Sequence, residues 1–466
     1  MIDRRAAGHA GAAAVLLAGC VAVFWPGYVQ YDSLAQYRQA LSGRYDDWHP
    51  PVMAHLWSLF GAAGQGPMTL LQFGGYWLGF GALAGALAAN GRRRAAALLI
   101  GIALWPPLLG WQAVVLKDTQ LLASLLAGVG LVGWWRLRER AVPLAGWAVV
   151  TLLFGYAVLV RANAVFAVAP LAVMLSRRGG MPTPRRVVIG TVATLTAILG
   201  VIALASFINH GPLAAARSGV ERTEPTYDLA GIAVRSGDPA TGLPQPAIAR
   251  LAARGCVRPY FWDPLGEPAR CEPDVAALHA LPPGALYPRL AAAALTHPLS
   301  YAAHRLAHLN STWRWLVAFR WPGAAPPEGN EANDMGLATP GGVARRWQRL
   351  AAILVETPLG WPIVWIVLAA VALPRALRGT DEASRLAAAL LVSAVALEAS
   401  FAVLSIASDL RYHLWPIAAT AIAWVLLGRW RIPRAGLIAL ALVVLAGVGA
   451  RLILPTPPQT YHAMLG

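Results

Sequence analysis

Four separated stretches of the chain carry side chains able to move protons and hold anions. The first runs Tyr28-Val29-Gln30-Tyr31-Asp32-Ser33 to Tyr37 and continues to Tyr45-Asp46-Asp47-Trp48-His49-Pro50-Pro51. The others are Trp111-Gln112 with Lys117-Asp118-Thr119, the short Arg161-Ala162-Asn163, and Ser408-Asp409-Leu410-Arg411-Tyr412-His413. An ionised aspartate such as Asp32 can take the proton from a hydroxyl as it attacks carbon. Lys117, Arg161 and Arg411 can hold a departing oxyanion, and tyrosines and His49 can orient what lies between. Each residue also has a structural use. Asp32 could start a helix, Asp46 and Asp47 could make a solvated turn, Lys117-Asp118 could be a self-neutralised pair, and Arg411-Tyr412 could anchor at a membrane surface. Arg161 is harder to place structurally: its bend is so short that the guanidinium must sit near hydrocarbon and needs an anionic partner. A divalent metal stays open, since Asp32, Asp46, Asp47 and Asp118 offer oxygen ligands if the fold brings them together.

The elements that must position these residues are membrane spans. Of 466 residues, 57% are hydrophobic and 13% charged, more apolar surface than one soluble core could cover. Apolar runs long enough to cross a bilayer predict helices near 8–27, 68–90, 95–115, 119–135, 144–160, 164–176, 186–207, 359–374, 384–407, 414–428 and 435–454. The fold class expected is an all-α polytopic membrane protein of about eleven transmembrane helices (10–13), with outer interfacial helices. Pro51 to Phe60 is too short to span and reads as one of those interfacial helices.

The formal charge of +16 does not point to nucleic acid, because the arginines punctuate the apolar runs. Clusters at Arg4-Arg5, Arg92-Arg93-Arg94, Arg136/Arg138/Arg140, Arg177-Arg178 with Arg185-Arg186, Arg375/Arg378 and Arg429/Arg431/Arg434 all fit the cytoplasmic side. That assignment puts the N-terminus inside, and it gathers Asp32, Lys117, Arg161 and Arg411 on the opposite, periplasmic face of a bacterial inner (cytoplasmic) membrane. Glu398 lies inside the ninth span, where it needs an arginine partner or a proton.

The chain divides into an N-terminal membrane module (1–207) containing a first outer loop (28–67), a periplasmic segment (208–358) and a C-terminal membrane module (359–466). Cys256 and Cys271 fall in the periplasmic segment, where a disulfide closing their loop is expected. The stretch 286–321, with His297, His304, His308 and three tryptophans, reads as amphipathic helix at headgroup level, its histidines lacking a zinc frame. Phosphate-binding glycine loops of the G-x-x-x-x-G-K-[ST] type are absent from the sequence.

Asp32 outside the first span, the tyrosine-rich segment after it, His49-Pro50-Pro51, Lys117-Asp118 and Arg161/Asn163 together resemble the GT-C glycosyltransferases, best over the first 180 or so residues. Within that superfamily the protein O-mannosyltransferases and the lipid A aminoarabinose transferases are most similar, although they carry a paired acid where Ser33 follows Asp32 here. The resemblance implies a polyprenyl-phosphate-sugar donor, a glycan, lipid or protein acceptor, Asp32 as base, and Lys117, Arg161 and Arg411 on the donor phosphate. Tyr31, Asp47, His49, Asp118, Asn163, Asp409 and Tyr412 are the further site candidates. A secondary transporter or lipid flippase, an envelope glycan polymerase or ligase, and a scaffold without chemistry are the competing expectations.

Overall fold

The computed structural model describes residues 4–176, 184–428 and 431–465, so Arg177, Arg178 and Arg429 of the expected basic clusters lie outside the described residues. Among the described residues the chain is all-helical, with isolated bridges in place of strands. The helices run α1 (Arg4–Phe24), α2 (Tyr31–Ser42), α3 (Val52–Ser58), α4 (Gly66–Ala89), α5 (Arg93–Ala103), α6 (Pro106–Gln112), α7 (Lys117–Arg136), α8 (Leu144–Val160), α9 (Val165–Ser176) and α10 (Pro184–His210). They continue as α11 (Thr223–Ser236), α12 (Gln245–Ala253), α13 (Glu272–His279), α14 (Pro283–Thr296), α15 (Pro298–Thr312), α16 (Gly342–Leu354), α17 (Pro362–Arg378), α18 (Glu382–Leu404), α19 (Leu414–Leu427), α20 (Arg434–Ile453) and α21 (Tyr461–Leu465).

Among the described residues, five helical stretches are long and apolar enough to cross a membrane alone, and shorter apolar helices accompany them. The expected span 95–115 is broken rather than straight: α5 and α6 meet at a 56° bend. Pro106 and Pro107 explain it, because neither can donate to the preceding turn and their rings push Trp105 into extended geometry. The seven-residue α3, about 10 Å long at the helical rise, is too short to span and packs on α2 with Met53, Ala54 and Trp57 buried.

Helices α4 and α7 form the closest pair in the bundle, and small residues let them approach. A Cβ added at Gly130 would lie 2.6 Å from the Gly79 Cα, and one at Gly79 would strike the Leu126 carbonyl. Gly79→Ile is therefore expected to cost about 1–3 kcal/mol by overpacking. Gly155→Ile, where a Cβ meets nothing within 4 Å, should leave the melting temperature in detergent nearly unchanged.

Residues 223–296 form a lobe with its own core, in which Tyr227, Ile232, Leu251, Leu265, Val275 and Leu286 surround the Cys256–Cys271 disulfide. In α15 the polar residues His304, Arg305 and His308 face inward rather than outward. His304 (3.1 Å) and Arg305 (3.0 Å) both meet the buried Asp228, and His308 Nδ1 lies 2.7 Å from the Pro259 carbonyl. Arg305 also donates to the Phe401 and Ala402 carbonyls at the end of α18. The polar stripe of α15 is thus its buried face, because it meets backbone acceptors and a carboxylate there. Glu398, for which an arginine partner or a proton was expected, has His413 beside it at 2.8 Å.

Candidate functional site

Asp32 owes its position to backbone pairing upstream of α2. Tyr28 N–H donates to the Ala113 carbonyl (2.9 Å) and Val115 N–H to the Tyr28 carbonyl (2.8 Å), which ties the start of α2 to the start of α7. Ser33 completes the tie: its Oγ accepts from Gln30 N–H at 3.0 Å and donates to the Val115 carbonyl at 2.5 Å. The strip 112–116 is locked to α4 by buried glutamine: Gln72 Nε2 donates to the Gln112 (2.6 Å) and Val114 (3.1 Å) carbonyls. Lys117 then opens α7, where a cation faces the positive end of the helix dipole. An unfavourable charge at that place requires an anion nearby, and Asp32 supplies one.

Asp32 Oδ2 lies 3.1 Å from Arg411 Nη1 and 3.8 Å from Lys117 Nζ, and its Oδ1 is 3.9 Å from His49 Nε2. Lys117 donates to His49 Nδ1 at 2.9 Å, which leaves the ring proton on Nε2, facing Asp32. Arg161 pairs with Asp118, whose side chain is 1% exposed, and donates to Asn163 Oδ1 at 2.9 Å. Arg411 Nε donates to Asp409 Oδ2 at 3.0 Å and lies 3.7 Å from Asp118 Oδ2. Tyr412 underlies both guanidiniums, its ring centroid 4.2 Å from Arg161 and 5.4 Å from Arg411. Three carboxylates therefore interleave with three cations, and the cluster balances its own charge.

Burial alone would raise the Asp32 carboxyl, but Arg411, Lys117, His49 and Arg161 outweigh it and hold it well below the usual carboxylate range. Burial, with Lys117 alongside, pushes His49 down to about 3, so its imidazole stays neutral. Asp32 is thus an ionised acceptor clasped by positive charge, beside an uncharged histidine.

The structure brings together Asp32, His49, Lys117, Asp118, Arg161, Asn163, Asp409, Arg411 and Tyr412. Tyr31 stands at the outer rim, 68% exposed. Asp47 is elsewhere engaged: it accepts from Ser218 N–H and Oγ–H at 2.6 Å each and meets His210 at 3.5 Å, fastening the first outer loop to the end of α10. Among the described residues, groups of three or more His, Cys, Asp or Glu fit to hold a metal are absent. Asp46 accepts from Trp48 N–H at 3.0 Å, Asp47 points to α10 and Asp118 to Arg161, so Asp46 and Asp47 do not join Asp32 and Asp118.

Two contributors escape sequence reading. Tyr260, inside the disulfide-closed loop, donates to Asp409 Oδ1 at 3.0 Å. Gly323, at φ +71°, offers its carbonyl to Leu410 N–H at 2.8 Å, and a Cβ there would strike Asp409 and lie 2.6 Å from the Tyr260 hydroxyl. The disulfide-bearing lobe thereby sets Arg411 through a Tyr260–Asp409–Arg411 relay. Gly323→Ala should cost more than the roughly 1–2 kcal/mol of a left-handed alanine. Gly336→Ala, at φ +69° with open space around it, should cost the backbone share only; equal melting shifts for the two would remove the close contact.

Compared with protein-family models, with curated proteins and with solved structures, the chain matches none.

Proposed function

We propose that this chain is a membrane glycosyltransferase of the GT-C kind, which moves a sugar from a polyprenyl-phosphate-linked donor to an acceptor hydroxyl on the periplasmic face of a bacterial inner membrane. About eleven spans, the N-terminus inside, and the resemblance over the first 180 residues belong to that reading. The observation that carries it is a partly buried, ionised Asp32 shared between Arg411 and Lys117.

The charge accounting fits transfer by single displacement with inversion. The acceptor oxygen attacks the anomeric carbon, the bond from that carbon to the phosphate oxygen breaks, and the acceptor proton passes to Asp32. One negative charge thus leaves the Asp32 carboxylate and appears on the polyprenyl phosphate. Lys117 and Arg411 contact the carboxylate where the charge starts, so small side-chain movements let them follow it. A protonating acid is unnecessary, because phosphate leaves as a stable anion, in contrast to glycoside hydrolysis with its two carboxylates.

The test is the purified full-length protein in lipid nanodiscs with a panel of undecaprenyl-phosphate sugars, following release of undecaprenyl phosphate and sugar transfer. Release that depends on the protein supports the reading. Passage of intact donor across a liposome membrane without bond cleavage would instead favour a flippase, and an inert panel with folded protein would overturn transfer.

A further inference from the structure

The disulfide-closed loop Cys256–Cys271 does more than hold Asp409 through Tyr260. Its next residues, Phe261, Trp262 and Asp263, lie at the outer approach to the Asp32 cluster. Trp262 N–H donates to the Ile406 carbonyl at 3.0 Å, which fixes the loop against the segment carrying Asp409 and Arg411. The Trp262 ring rests on Gly266, where an added Cβ would lie 2.5 Å from the ring edge, so the indole is supported from one side.

Facing it from the first outer loop is Trp48, the residue before His49. The two ring centroids are 5.9 Å apart and tilted by 43°, a splayed pair rather than a closed stack, and Trp48 is 40% exposed. Among the described residues neither indole N–H has a hydrogen-bond acceptor, so two donors are unspent. Asp263 lies beside this pair, accepting from Tyr461 Oη–H at 3.1 Å through one oxygen only. Tyr461 in turn packs edge-on to Phe261, and Tyr31, adjacent to Asp32, completes the rim.

We propose that this rim is a carbohydrate-binding platform that seats a glycan acceptor against Asp32, with Trp48 and Trp262 stacking on sugar C–H faces and Asp263 and Tyr461 bonding sugar hydroxyls. The proposal rests on the transfer reading for the word acceptor, while the binding of a glycan stands by itself. A saccharide presents apolar ring faces and hydroxyl-bearing edges, and the rim alternates flat rings with a carboxylate, a phenol and two free N–H donors. An acyl chain would leave every one of those polar groups unsatisfied. Burial raises the Asp263 carboxyl, the bond from Tyr461 lowers it, and the nearby Asp409 and Asp32 charges raise it further, to about 6. The platform and the cluster are therefore within each other's electrostatic reach.

The experiment uses full-length protein in nanodiscs and a panel of maltohexaose, mannohexaose, galactohexaose and chitohexaose, read by saturation-transfer NMR and by tryptophan emission. At least one saccharide is expected to bind and shift the emission. Trp48→Ala and Trp262→Ala should each weaken that binding about tenfold or more, and Trp262→Phe should retain part of it. Because Asp263 titrates near 6, the affinity is expected to change around that pH in the native protein and to become flat in Asp263→Asn. An unresponsive panel, or binding by both tryptophan variants as tight as that of the native protein, would overturn the platform. Glycan binding with every polyprenyl-phosphate sugar inert would keep the platform and remove the transfer reading; donor turnover with no saccharide bound would do the reverse.

Discussion

Asp32→Asn is expected to lower sugar transfer by about 10²–10⁴-fold, the usual worth of a positioned general base, while undecaprenyl phosphate binds as tightly as before or more tightly. The second half of that result separates catalysis from architecture. In the native cluster Arg411 and Lys117 are engaged by the Asp32 carboxylate at 3.1 and 3.8 Å. An amide is nearly isosteric but lacks the charge, so both cations become more available to a phosphate. A residue that only built the site would weaken phosphate binding when neutralised. Surface-plasmon or fluorescence titration with undecaprenyl phosphate, beside single-turnover transfer, distinguishes the two, and a parallel loss of both would sink Asp32 as base.

The same geometry gives a pH dependence. A clasped Asp32 stays ionised down to acid well below the ordinary carboxylate range, and it becomes a stronger base only when phosphate draws the cations away. Donor binding would therefore precede proton transfer. The folded carboxyl being depressed, its contribution to stability is complete above the unfolded value of about 3.9 and is lost as pH falls through the lower folded one. An Asp32→Asn protein should accordingly show a shallower acid destabilisation below pH about 4.

What was legible in the sequence followed from what residue types can tolerate. Long apolar runs have no alternative to helix, and an arginine in a three-residue bend between two of them has no alternative to an anion, so Arg161 announced a partner before that partner was known. Asp32, Lys117 and Arg411 were legible because charge at the end of an apolar helix is costly. The bend in α5–α6 could have been read from Pro106-Pro107 but was masked by the continuous hydropathy on either side. Tyr260 and Gly323 could not be read: nothing local marks a tyrosine as the holder of an aspartate 149 residues away. The polar stripe of α15 misled for a related reason. Its His304, Arg305 and His308 share one helical face, which normally means water or headgroups; here that face meets Asp228 and the last carbonyls of α18. Periodicity identifies a face, and only the fold says what covers it.

Arg161→Gln is expected to cost about 3–5 kcal/mol of stability, because it strands the nearly unexposed Asp118 without its principal partner. Arg411 Nε, 3.7 Å from the second Asp118 oxygen, recovers part of that loss and draws the value toward the lower end. The double variant Arg161→Gln/Asp118→Asn removes both charges together. It should regain most of the stability, since two amides can bond each other and Asn163 where the ions stood. Donor binding is the discriminating measurement on that double variant. If Arg161 serves only to neutralise Asp118, the restored protein should bind undecaprenyl phosphate like the native one. If the guanidinium reaches the phosphate, the restored protein should be stable yet weaker in binding by about tenfold or more, the worth of one charge-assisted contact. The proposed donor site requires the second outcome from Arg411 as well, and Arg411→Gln in the same titration should show the larger loss, because Arg411 touches Asp32 directly whereas Arg161 meets the cluster through Asp118 and the Tyr412 ring.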